Sequence, residues 1–132
     1  MIIRHPVAVA LATYNALASG GSVPDLTLGD LIEHWLICYE IFQADAAHLQ
    51  RLSVVRYEDF VAHPQRTLDA LHAFLGAPPH PCSEDIQPHA NARYLAQWRA
   101  MCQNPSYQPT IARTMRLEER ILPFGYSLMD EE

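Results

Sequence analysis

The sequence contains no lysine, and all nine of its basic residues are arginines. A chain without lysine has no side chain for a Schiff base, for the phosphate ligand of a P-loop or for acid catalysis by an ammonium group. Its 15 acidic residues give a net charge of −6, which argues against a protein that neutralises a phosphate backbone. We therefore expect no nucleic-acid partner.

Cysteines and long apolar runs are also scarce. The cysteines Cys38, Cys82 and Cys102 are widely spaced and form no CxxC pair, so the sequence favours neither a disulfide framework nor a zinc ribbon. No apolar run approaches the ~20 residues that span a membrane, and the N-terminus lacks the features of a signal peptide. These absences predict a cytoplasmic protein without a membrane partner.

The composition is that of one globular domain. The chain has 132 residues, of which 49% are hydrophobic and 18% charged. This length is enough to bury a core without disulfides or metal ions. We expect a single domain over residues 1–132.

Two segments of the sequence predict a strand followed by a helix. Residues 1–4 resemble the end of a buried strand, and Pro6 then begins an apolar helix that should end near Gly20. Residues 52–55 predict a second strand, and a helix follows from Pro64 to its end at Gly76. Asp59 is a candidate cap for the turn between them.

A long amphipathic helix is predicted between these two units. Apolar residues recur at helical spacing from Leu28 to about Leu49, and a loop at residues 22–25 precedes them. Strands that alternate with helices and are joined by a helical crossover predict a parallel sheet of the α/β class. Residues 1–76 should form this part.

The remainder, residues 77–132, is predicted to be a loop followed by helices. Residues 77–88 are rich in proline and predict a surface loop. Two helical patterns follow it, broken near Pro105. The aromatic residues Trp35, Tyr39 and Phe42 share helical spacing and predict core packing.

The tripeptide Arg4-His5-Pro6 is the most informative local feature. It lies between a strand and a helix, where the free N–H groups of the first turn and an adjacent arginine favour an anion. The alternative is that Arg4 only pairs or caps at the end of the strand.

Four parts of the sequence form a pattern by their order and spacing: residues 2–10, Trp35 with Tyr39, residues 54–60 and residues 64–76. Together they resemble the sulfotransferases that use 3′-phosphoadenosine 5′-phosphosulfate (PAPS), and the end of the chain resembles bacterial members more than animal cytosolic ones. The resemblance implies a partial P-loop-hydrolase-like fold, with PAPS as the nucleotide co-substrate and no metal. It also implies a transferase whose acceptor, a small molecule or glycan, offers a hydroxyl or an amine.

The resemblance also implies the site residues. Arg4 matches the arginine that holds the 3′-phosphate of the nucleotide in this family. The serine that shares the phosphate falls at Ala12, so Thr13, the next residue, is the candidate hydroxyl ligand. Tyr57, Glu58 and Asp59 match a family signature for which we expect capping and packing, with ligand contact as the alternative.

The sulfate-binding loop of the family, with its glycine and lysine, lies upstream of the arginine motif, as does the usual catalytic base. We therefore expect the chain to be the C-terminal portion of a sulfotransferase, truncated and inactive by itself, and we assign no catalytic residue. The alternative is a non-catalytic helical interaction or dimerisation module, which uses uncovered sheet edges and apolar faces to form a homo-oligomer or to bind another partner.

Two weaker constellations remain. His80, Cys82 and His89 lie within ten residues of one another, but their spacing fits no standard zinc site. Residues 118–120 predict a solvated helix face.

Overall fold

The fold is known from a computed structural model that describes residues 1–21, 26–87, 89 and 91–129. The loop predicted at residues 22–25 and the last residue of the proline-rich loop, Pro88, lie outside the described residues. Within the described residues the elements are strands β1 (Ile2–Ile3) and β2 (Val55–Arg56), helices α1 (Pro6–Ser19), α2 (Leu28–Ala46), α3 (Tyr57–Ala62), α4 (Pro64–Leu75), α5 (Ala92–Gln103), α6 (Gln108–Met115) and α7 (Glu118–Ile121), and 3-10 turns at Pro105–Tyr107 and Leu122–Phe124.

The two strands are parallel, as the α/β interpretation requires. Ile2 pairs with Val55 and Ile3 with Arg56. The first strand is only partly the buried strand that the sequence predicted, because Ile3 is 5% exposed whereas Ile2 is 62% exposed. The second strand begins at Val55 rather than at residue 52. The described chain is thus mostly helical around a small parallel sheet.

Helix α1 begins and ends where the sequence predicts. Pro6 occupies its first position, and the imidazole of His5 accepts a hydrogen bond from the amide of Val7. Proline suits this position because its missing N–H would have no helical partner and its φ is already helical. The helix ends at Ser19, and Gly20 caps it.

Helix α2 begins with a capping box. The Thr27 hydroxyl accepts from the amide of Asp30, and the Asp30 carboxylate accepts from the amide of Thr27. Hydrogen bonds from the hydroxyl and amide of Thr27 hold the pKa of Asp30 below its ordinary value. The helix ends at Ala46, three residues before the predicted end.

The turn after β2 differs from the prediction. Helix α3 begins directly at Tyr57 with Arg56 at the N-cap, and no side chain caps it. Asp59 therefore lies inside the first turn and is not the cap that we expected. Helix α4 then runs from Pro64 to Leu75, and Gly76 ends it in the left-handed conformation, both as predicted.

The core lies between α1, α2, α5 and α6. It is closed by apolar residues that follow α7, namely Tyr126 and Leu128, which are buried. The indole of Trp98 donates to the carbonyl of Leu128 at 2.8 Å. Of the predicted aromatic stripe, Trp35 is buried whereas Tyr39 and Phe42 are half-buried. The C-terminal turn thereby packs against the same core as β1 and α1.

Gly125 offers a test of how this turn is held. Its φ is +74°, and a Cβ there would lie 2.6 Å from Nη1 of Arg56. Gly76 also has a positive φ, +69°, but has open space around it. Since a left-handed alanine costs about 1–2 kcal/mol, we expect that loss for Gly76→Ala. Gly125→Ala should lose about 1 kcal/mol more because Arg56 must leave Tyr126.

Urea unfolding of both variants measures the difference. Equal losses would mean that Arg56 moves aside at no cost.

Candidate anion-binding site

The centre of the site is Arg4, in the turn between β1 and α1. Its carbonyl accepts from the indole Nε1 of Trp35 at 3.0 Å, which fixes the backbone. Its guanidinium Nε donates to Oδ1 of Asn91 at 2.8 Å. Among the described residues, no side chain accepts from the Nη atoms of Arg4 and no carboxylate forms an ion pair with it. A half-buried cation is thus held at one edge and left available at the other.

Aromatic rings flank this guanidinium. Its carbon Cζ lies 4.5 Å from the ring centroid of Tyr57 and 5.6 Å from that of Tyr94. Stacking on ring faces holds a guanidinium in place without using its N–H donors. The rings therefore orient Arg4 and leave its hydrogen-bonding capacity for a ligand.

Arg93 brings a second positive charge to the same ring. Its Cζ lies 4.5 Å from the centroid of Tyr94, and its Nη2 donates to the Tyr94 hydroxyl at 2.5 Å. Two guanidinium groups beside one ring, with no ion pair to either in the described part of the chain, create a positive patch on an acidic protein. Such a patch fits a phosphate or another multiply charged anion.

Behind Arg4 lies the carboxylate of Glu58. Its Oε1 accepts from the amide of His5 at 2.9 Å and from Nδ2 of Asn91 at 2.5 Å. Its Oε2 accepts from the hydroxyl of Tyr126 at 2.8 Å. The sequence prediction of packing for Glu58 missed these links, which connect residues far apart in the chain.

Tyr126 closes the site from the C-terminal side. Burial, together with its hydrogen bond to Glu58 and the negative charge there, raises the pKa of Tyr126. The guanidinium of Arg56 lies over its ring, with Cζ 4.2 Å from the centroid, and donates to the carbonyl of Gly125. The tyrosine therefore stays protonated and keeps donating to Glu58.

Two backbone N–H groups at the start of α1, which the sequence predicts to be free for an anion, already have partners. The N–H of Val7 is taken by the His5 imidazole and the N–H of His5 by Glu58. An anion at this turn therefore depends chiefly on arginine side chains. Thr13, the predicted hydroxyl ligand, is exposed on α1 and is not a partner of Arg4 among the described residues, and Ala12 beside it is half-buried.

Sequence reasoning missed Asn91, Arg93 and Tyr94. Tyr94 belongs to the first of the two predicted helical patterns, and it is only 8% exposed. Asn91 occupies the N-cap position of α5, a place where asparagine usually caps, yet its side chain makes no capping bond. It reaches Glu58 and Arg4 instead. Because Arg4 and Asn91 are 87 residues apart, no local spacing rule joins them.

Two other candidate sites, a cavity beside Glu58 and the residues considered for zinc, offer weaker support for ligand binding. A cavity of about 210 Å³ is lined by His5, Glu58 and Asn91, but the carboxylate of Glu58 on its wall makes it unsuited to phosphate. In the described residues, which include His80, Cys82 and His89, no group of three potential ligands could hold a metal ion. None of the helices described is both long and apolar enough to cross a membrane.

The hydrogen bond from Tyr126 to Glu58 can be removed without changing the ring. Tyr126→Phe should lower the free energy of unfolding by about 1–2 kcal/mol, because the partly buried carboxylate of Glu58 loses a donor. Tyr107→Phe is the control, since Tyr107 is 43% exposed and its hydroxyl has no partner among the described residues. Urea unfolding compares the two. Equal stabilities would contradict a role for this bond.

Residues 1–81 match the family model described as the sulfotransferase family. This match covers more than half of the chain and includes Arg4, both strands and helices α1 to α4. No curated protein and no solved structure matches the chain significantly. The chain therefore belongs to the sulfotransferase family.

Proposed function

We propose that this chain binds the 3′-phosphate of PAPS, or of the adenosine 3′,5′-bisphosphate left after transfer, within a sulfotransferase. The observation that carries the proposal is Arg4, whose Nη atoms have no acceptor among the described residues. A guanidinium fork matches the oxygens of a phosphate and forms strong charge-assisted hydrogen bonds with them.

Arg93 adds to the same proposal. It shares the ring of Tyr94 with Arg4 and is exposed, so it can move toward a bound phosphate at little cost. Thr13 remains the proposed hydroxyl ligand from α1. Its place on the exposed side of the helix makes its contribution smaller than that of the arginines.

The proposed reaction moves a sulfuryl group from PAPS to an acceptor hydroxyl or amine. This step needs positive donors around the transferring group and a base near the acceptor. The sequence has no lysine, and we assign neither role to any residue. The proposal therefore assigns nucleotide binding to residues of this chain. It assigns no residue to the transfer of the sulfuryl group. The acceptor is a small molecule or a glycan.

A second candidate function, self-association, is favoured by an apolar groove beside the sheet. The groove has a volume of about 340 Å³ and lies among Met1, Phe42, Leu52, Val54 and Phe124. Val54 is 50% exposed at its edge. Exposed apolar surface next to strands favours contact with a second copy.

The nucleotide proposal predicts a loss of affinity in Arg4→Ala. Titration calorimetry with adenosine 3′,5′-bisphosphate should show binding about 10- to 100-fold weaker, because a charge-assisted hydrogen bond contributes ~1.5–3 kcal/mol. Arg120→Ala is the matched control, since Arg120 pairs with Glu40 elsewhere. Equal affinity of Arg4→Ala and the unsubstituted chain would overturn the assignment.

The association candidate predicts a concentration-dependent mass. Light scattering should show dimers of the unsubstituted chain, and Val54→Thr should shift them to monomers. Met129→Thr should not, because Met129 is 68% exposed but lies outside the groove. A monomeric mass at every concentration would contradict self-association.

A further inference from the structure

The carboxylate of Glu58 lies where the β1–α1 turn, the start of α5 and the C-terminal turn meet. We propose that Glu58 is a positioning residue for phosphate binding, which acts through Asn91 on the direction of the Arg4 guanidinium. The inference rests on the proposed function, because it concerns the same phosphate. It assigns Glu58 no contact with the ligand.

Glu58 fixes the orientation of the Asn91 side-chain amide. A side-chain amide donates at its nitrogen and accepts at its oxygen, whereas an ionised carboxylate only accepts. Glu58 therefore requires Nδ2 of Asn91 to face it, at 2.5 Å. The oxygen Oδ1 then faces Nε of Arg4, which donates to it at 2.8 Å. A reversed amide would place acceptor against acceptor at Glu58 and donor against donor at Arg4.

The neutral amide of Asn91 lies between the carboxylate of Glu58 and the guanidinium of Arg4. A carboxylate in direct contact with an arginine commonly takes two N–H donors and offsets the positive charge. Asn91 takes only Nε. Glu58 thus orients Arg4 without using the Nη donors that a phosphate needs.

Glu58 also contacts the backbone beside Arg4. Its carboxylate accepts from the amide of His5, the next residue, at 2.9 Å. One carboxylate therefore controls both the turn and, through Asn91, the guanidinium. A side chain held in this way loses little freedom when an anion binds, and such preorganisation increases affinity.

A purely structural role for Glu58 predicts a different result. Removing a structural residue lowers stability and weakens all ligands of the folded protein to a similar extent. Removing a positioning residue weakens specifically the ligand group that Arg4 contacts. The informative quantity is the ratio of two dissociation constants, that for adenosine 5′-monophosphate over that for adenosine 3′,5′-bisphosphate. These ligands differ only in the 3′-phosphate.

Calorimetric titration of the full chain with both nucleotides provides this ratio. We expect Glu58→Ala and Asn91→Ala each to lower it by about 5- to 30-fold, the effect of one lost hydrogen bond. Glu58→Gln should recover most of the ratio, because its carbonyl can still accept from Asn91 and its amide can donate to the Tyr126 oxygen. Asp59→Asn, an exposed neighbour on the same helix, is the control that should leave the ratio unchanged.

The same measurement in an Arg4→Ala background separates the two proposals. There, Glu58→Ala should have no further effect on the ratio, because the group that it positions is gone. If Arg4→Ala lowers the ratio but Glu58→Ala and Asn91→Ala do not, the positioning role is wrong and the phosphate site stands. If Arg4→Ala leaves the ratio unchanged, both fail. Should Glu58→Ala not fold, Asn91→Ala decides.

Discussion

A carboxylate removed from water needs several donors to offset its lost hydration. Glu58 has three, and they come from His5, Asn91 and Tyr126. The donor residues lie 53, 33 and 68 positions away in the sequence. The hydrogen bonds to this one carboxylate therefore connect the β1–α1 turn, the start of α5 and the turn that contains Tyr126. Asn91, which donates to Glu58, is thereby also placed beside Arg4 and accepts from its guanidinium.

The local parts of this arrangement could be predicted from the sequence. Pro6 and Pro64 begin helices because the φ of proline is already helical and its missing N–H would have no helical partner there. Gly76 ends a helix because glycine readily adopts the left-handed conformation. The parallel pairing of the strands followed from two strand-helix units joined by a helical crossover. These rules act over a few residues, which is why they work from sequence alone.

Of the residues that the structure brings together at this site, the sequence singled out Arg4, Tyr57 and Glu58, and the phosphate-binding role of Arg4 stays a prediction. Its neighbours Asn91, Arg93 and Tyr94 belong to a helix that the sequence marks only by its apolar face. Whether an arginine on such a helix meets the β1–α1 turn depends on how helices pack, and that is set by the whole core. Asp59 shows the opposite error. A residue type that favours caps was expected to cap, but the N-cap of α3 is Arg56, three residues earlier.

The hydrogen bond between the His5 ring and the carbonyl of Ser127 spans 122 residues. The segment around Ser127 is therefore synthesised well after the turn that contains His5. Contacts of such sequence separation are slow to form because a long loop must close before they contribute. The surroundings of His5 and Glu58 are therefore complete only when residues 126 and 127 have packed against them. An anion that binds Arg4 would by mass action stabilise the folded form in which these distant segments are in contact.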